Sequence, residues 1–128
     1  MQTIPISQIS LPFACKRDPY RLLDFQQEQS TSMSTSRPQA IPTIQVDNDR
    51  VLVTEWRFPP GGETGWHRHS YDYVVVPQIS GKLLLESNEG NHYAELNSGI
   101  SYFRPAGVEH NVVNANEFEY VFVEIEIK

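Results

Sequence analysis

From residue 41 onward, apolar and polar positions alternate with a period of two in short runs. Residues 43–46, 51–58, 71–76, 82–86, 92–96, 100–103, 109–113 and 118–127 each read as a strand, rich in Val, Ile, Tyr and Phe. Turn signals separate them: Asp47-Asn48-Asp49, Pro59-Pro60-Gly61-Gly62, Ser80-Gly81, Asn88-Glu89-Gly90-Asn91, Asn97-Ser98-Gly99, Pro105-Ala106-Gly107 and Asn114-Ala115-Asn116. No apolar stripe of helical period is sustained in this stretch. Short strands at such spacing predict an all-β barrel or jelly roll rather than an α/β sheet. In the last run Val121, Val123, Ile125 and Ile127 alternate with Tyr120, Phe122, Glu124 and Glu126. The two glutamates predict a strand with one solvated face toward its end.

Residues 1–40 have a different character and read as an N-terminal arm preceding a barrel domain of residues 41–128. Pro5, Pro12, Pro19 and Pro38 interrupt the arm, and the Ser/Thr-rich stretch 30–38 has little to bury. Residues 4–11 alternate well enough for an edge strand, and residues 18–25 suit a short helical turn with Asp18 as cap and Pro19 at its first position. The arm is expected to pack on the barrel or on a second subunit.

Composition narrows the class. At 128 residues the chain has the size of one domain, and its net charge of −6, with no basic run, argues against nucleic acid or an anionic membrane as partner. The longest apolar run, residues 73–76, is far short of a membrane span. The first residues carry neither a basic segment nor a continuous apolar one, so no secretory signal is read and a cytoplasmic location is expected. Cys15 is the only cysteine, which excludes an intrachain disulfide, and it reads as a small buried hydrophobe.

The candidate chemistry lies in two segments that hold three of the four histidines, residues 61–69 and 99–114. Residues two apart on a strand project to one face, so His67 and His69 point together. His110 follows the Pro105-Ala106-Gly107 turn and shares a face with Val112 and Asn114, from where a neighbouring strand can set it opposite the pair. Neutral imidazole suits zinc, iron, copper and nickel, and a three-ligand site leaves positions for water or substrate.

These segments resemble the bipartite signature of the cupin superfamily. Gly61, His67 and His69 match its first motif, and Gly99, Pro105, Gly107, His110 and Asn114 match its second. Within that superfamily, Glu55-Trp56-Arg57-Phe58 and the stretch 65–77 are similar to small single-domain proteins associated with β-alanine degradation. The resemblance covers residues 41–128. It implies a single cupin-type jelly-roll barrel with an N-terminal extension, a divalent metal at the wide mouth, and a homodimer.

The first motif departs from the pattern where a glutamate ligand is expected, with Tyr73 or Val74 in its place and Asp72 adjacent. If the strand from His67 runs unbroken, Tyr71 and Tyr73 share the histidine face, and no carboxylate ligand is expected. A β-bulge near Ser70 would instead bring Asp72 inward. Three neutral imidazoles leave a divalent ion its full charge, which favours an anionic, chelating substrate. Tyr73 is the catalytic candidate, orienting a bound oxygen species or substrate. Arg57 and Arg104 are candidates for pairing with a substrate carboxylate, and Trp66 for walling the pocket. His92 lies in a hairpin outside both motifs and is expected in solvent. The leading expectation is a metal-dependent, dioxygenase-like enzyme acting on a small organic molecule. Iron(II) is favoured, and zinc, manganese, nickel or copper are the other ions. The alternative is a non-catalytic module that binds or senses a small molecule.

Overall fold

The computed structural model describes residues 36–128, and the expectations for residues 4–11, 18–25 and Cys15 lie outside the described residues. The chain from Arg37 to Lys128 forms one compact unit. Its strands are β1 (Ile41–Asp47), β2 (Val51–Phe58), β3 (His67–Arg68), β4 (Asp72–Pro77), β5 (Gly81–Ser87), β6 (Gly90–Leu96), β7 (Tyr102–Arg104), β8 (Glu109–Asn114) and β9 (Tyr120–Ile127). They form a five-stranded sheet in the order β1-β2-β9-β4-β7 and a four-stranded sheet in the order β3-β8-β5-β6. Strand pairing within both sheets is antiparallel. The fold is all-β, as the alternation predicts. Among the described residues no helix is long and apolar enough to cross a membrane.

Strand register explains which side chains meet inside. Across the five-stranded sheet, Leu52, Glu126, Tyr73 and Arg104 form one row, and Thr54, Glu124, Val75 and Tyr102 form the next. Trp56, Phe122 and Pro77 follow, then Phe58 beside Tyr120. On the other sheet Val112, Leu85 and His92 share a row, and Asn114, Leu83 and Ala94 share another. Phe58, Tyr120 and Leu83 are at most 1% exposed and fill the closed end. The Phe58 and Phe122 rings lie 5.4 Å apart. Each such side chain contributes about 1.5–3 kcal/mol by leaving water.

Two features depart from the sequence reading. The stretch from His67 to Tyr73 is not one strand: β3 belongs to the four-stranded sheet, the chain bends at Ser70 and Tyr71, and β4 enters the other sheet. A chain that switches sheets must leave one ladder before joining the next. The face of β9 that carries Glu124 and Glu126 is also not solvated, because it continues the row of Tyr120 and Phe122 into the interior. The two glutamate side chains are only 12% and 18% exposed.

The chain just before β1 packs with the barrel. Ala40 is 1% exposed, its N–H donates to Glu63, and the Glu63 N–H donates to Pro38. Asn114, the last residue of the second histidine segment, is buried as a structural clamp. Its Nδ2 donates to the carbonyls of Phe58, Pro59 and Phe118, and its Oδ1 accepts from the backbone N–H and side-chain amide of Asn116.

Candidate metal centre

His67 and His110 are direct cross-strand partners on β3 and β8. His69 follows β3 as the chain turns toward the other sheet. Its backbone is tied to the second histidine segment, because the His69 N–H donates to Val108 and the Gly107 N–H donates back to His69. Gly107 has φ of 100°, which side-chain-bearing residues rarely adopt, so this return contact depends on glycine. The two segments are thus one structural unit.

The three rings converge through the same atom. His67 Nε2 lies 3.1 Å from His69 Nε2, which lies 3.3 Å from His110 Nε2. Tautomers follow from the opposite ring nitrogens. His67 Nδ1 is 2.8 Å from the Gly65 carbonyl and must donate to it, which leaves Nε2 a bare lone pair. His69 Nδ1 faces the Glu126 carboxylate at 3.4 Å, which likewise favours the proton on Nδ1. Burial, assisted by His67, lowers the His69 pKa to about 4. Burial together with His67, His69 and Arg104 lowers that of His110 to about 3. Lone pairs facing one another at this distance repel unless a cation stands between them. Nitrogens bound to one ion at about 2.1 Å lie about 3.0 Å apart at a right angle and about 4.2 Å apart when opposed. These separations fit ligands on one face of a common ion, and His67, His69 and His110 form a metal-binding cluster.

A polar scaffold holds the loop that carries His67. Asn111 Oδ1 accepts from the Gly65 N–H at 2.8 Å, while its Nδ2 donates to Glu63 and Glu86, each at 2.9 Å. Arg37 donates to both of these carboxylates. Hydrogen bonds from Arg37 and Asn111 hold the Glu86 carboxyl below its usual range. Support of this kind orients a ligand ring and fixes its tautomer.

Tyr73 lies inside, 2% exposed, with its ring stacked on His69 at a centroid distance of 3.8 Å. Burial raises its pKa, so the phenol stays protonated. Tyr71 is 39% exposed, because the bend at Ser70 and Tyr71 breaks the strand phase that would have placed it with Tyr73. Asp72 is exposed and accepts from the Ala106 N–H, so it serves the turn and not the cluster. The carboxylates near the histidines come from β9. Glu124 Oε2 lies 3.8 Å from His69 Nε2, and Glu126 accompanies it on the other side of the ring. Burial, then repulsion from Glu126, raises the Glu124 pKa to about 7. Their parity with Tyr120 and Phe122 was the available signal, since the largest apolar side chains of a strand mark its inner face.

A cavity of about 510 Å³ opens from the cluster, lined by Tyr73 and His110 deep inside and by Tyr102, Arg104, Glu109 and His92 farther out. Arg104 lies over the Tyr102 ring at 4.7 Å. His92 is exposed, as expected, and its place in the Leu85 row also puts it on the cavity wall. Arg57 projects from the opposite face of β2 and is held by Glu119 at 2.9 Å and Glu55 at 3.3 Å. Trp66 is 55% exposed, and neither residue lines this cavity.

A cupin domain model matches residues 54–126. The beta-alanine degradation protein BauB of Pseudomonas aeruginosa is 65% identical over 94 residues, which span 73% of this chain and 99% of that protein. The crystal structure of a cupin domain from Bordetella pertussis is 68% identical, with a TM-score of 0.73, and the match covers 73% of this chain and 98% of that one. A double-stranded β-helix protein from Klebsiella pneumoniae shares the fold at 20% identity, with a TM-score of 0.59 over 79% of this chain and 90% of that one.

Proposed function

Because this chain belongs to the cupin family, we propose that it is a metal-dependent, dioxygenase-like enzyme acting on a small anionic organic molecule. The observation that carries this reading is the convergence of three histidine Nε2 atoms beside an open cavity that His110 lines. His67, His69 and His110 would hold the ion. Iron(II), when bound, supplies the electrons for reaction with dioxygen and open positions for a chelating substrate.

The remaining work falls to the chain's own side chains. Arg104 offers guanidinium donors to a substrate carboxylate, and its planar fork suits a bidentate contact. Tyr73 keeps its proton and can donate a hydrogen bond to an oxygen held beside His69. Leu85 and Val108 exclude water from one wall of the cavity. The cavity volume suits a molecule of a few to a dozen or so heavy atoms, on the scale of small-ligand sites of about 300–1,000 Å³. β-Alanine, for whose degradation the Pseudomonas relative is named, is a short-chain carboxylate and belongs to this size class.

Anaerobic reconstitution with iron(II), followed by oxygen-uptake measurements with keto acids, diketones and thiols, tests the proposal. Uptake with at least one class, abolished by His110→Ala, is expected. A protein that binds iron(II) yet consumes no oxygen with any of them contradicts the oxygenase reading and favours a binding or sensing role.

A further inference from the structure

His67 stands on β3, a strand of only two residues, after a loop in which Gly61 and Gly65 both have positive φ. The loop runs along β8 out of step with it. Glu63 pairs with Val113 and His67 with His110, so four residue steps on the loop oppose three on β8. That is a bulge of one residue, and a bulge leaves a backbone group without its ladder partner. Here the Gly65 N–H donates at 2.8 Å to the side chain of Asn111 and not to a backbone carbonyl. The Gly65 carbonyl in turn lies 2.8 Å from His67 Nδ1. One residue of the bulge thus meets Asn111 on one side and the His67 ring on the other.

Asn111 can serve only one way round. It is 3% exposed, its Oδ1 faces the Gly65 N–H, and its Nδ2 faces Glu63 and Glu86, each at 2.9 Å. A reversed amide would set a donor against the Gly65 donor and an oxygen against two carboxylates. The two glutamates therefore fix the amide, yet carboxylates that share one amide nitrogen repel each other. Arg37 offsets the repulsion. Its Nη1 donates to Oε1 of both glutamates at 3.1 Å, and its Nη2 donates to Glu86 Oε2 at 3.1 Å. The segment ahead of β1 places Arg37, because Gln39 Nε2 donates to the Thr64 carbonyl at 3.0 Å and the Ala40 N–H donates to the Glu63 carbonyl at 2.8 Å.

We infer that Asn111 is the positioning residue for His67 in the metal centre, and that Arg37 acts through it by holding Glu63 and Glu86. The inference rests on the metal-binding reading above and extends the site to residues 37–40, ahead of β1. Neither Asn111 nor Arg37 is a ligand. Each sets where the bulge, and with it the His67 ring, comes to rest.

Cobalt(II) titration of the metal-free protein, with competition by a chromophoric chelator, measures affinity at a temperature where each variant is folded. The wild type is expected to bind one cobalt(II) per chain. Asn111→Ala is expected to weaken binding about tenfold or more, and Arg37→Ala about threefold or more. Arg37→Lys, which keeps the charge without the planar fork, is expected to recover part of the Arg37→Ala loss. The double variant Arg37→Ala with Asn111→Ala is expected to stay within about twofold of Asn111→Ala alone, because one residue acts through the other. Wild-type affinity in Asn111→Ala, or losses that multiply in the double variant, overturn this inference alone. If Asn111→Ala does not fold, wild-type affinity in Arg37→Ala or the absence of any recovery in Arg37→Lys overturns it. Failure of the wild type to bind cobalt(II) overturns the metal-binding reading and this inference with it.

Discussion

His69 and Glu124 show how one site is built from groups that are uncomfortable in isolation. Burial lowers the His69 and His110 pKa values to about 4 and 3, and raises that of Glu124 to about 7. The signs differ in consequence. As pH falls below the ordinary histidine value of 6.5, the unfolded chain takes up protons that the folded histidines refuse, and the metal-free fold loses stability. As pH rises from the ordinary glutamate value of 4.5 through 7, the unfolded carboxyl releases a proton that folded Glu124 retains, and stability falls again. Metal-free Glu124→Gln is therefore predicted to be more stable than wild type by up to about 3 kcal/mol near pH 8, with the gap narrowing by about pH 5. Urea denaturation at both pH values checks this, and equal stabilities near pH 8 contradict it.

Among the elements, β8 shows how much structure hangs on individual amides. Asn111 and Asn114 lie on opposite faces of this strand, each nearly fully buried. Asn114 closes the loops at Phe58, Pro59 and Phe118, away from the histidines. Asn114→Ala is predicted to lower stability by about 2–4 kcal/mol, because three carbonyls lose a donor and Asn116 loses an acceptor. Cobalt(II) affinity of the folded fraction should stay within about twofold of wild type. Thermal denaturation beside metal titration separates the two effects, and a large affinity loss would show that the clamp reaches the site. Strands such as β2, β5 and β8 are legible in the sequence because turn residues bracket period-two runs. The sheet switch between His67 and Asp72 is not legible, since local alternation carries no record of which sheet a strand joins. Tyr73 still faces inward, though by way of a bend and not the unbroken strand that the phase assumed. β9 is misleading for a different reason: glutamates near a strand end usually mark solvent, and their shared parity with Tyr120 and Phe122 puts them on the inner face, while only the partner strands bring them beside His69.

At the scale of the whole molecule, two antiparallel sheets close one end with Phe58, Tyr120 and Leu83 and leave the other to polar groups. The three histidines and their convergence are legible from spacing, because glycine and proline fix where each segment turns. The carboxylates, the Arg37 and Asn111 scaffold and the cavity wall come from strands remote in sequence, so only the assembled barrel brings them together. The central claim is that this polar end holds one divalent ion on His67, His69 and His110. Anomalous diffraction from crystals grown with cobalt(II), collected at the metal absorption edge, tests it most directly. One peak per chain, about 2.0–2.3 Å from the Nε2 atoms of all three histidines, is the predicted result. A barrel without a peak there, or with its peak elsewhere, would contradict the account.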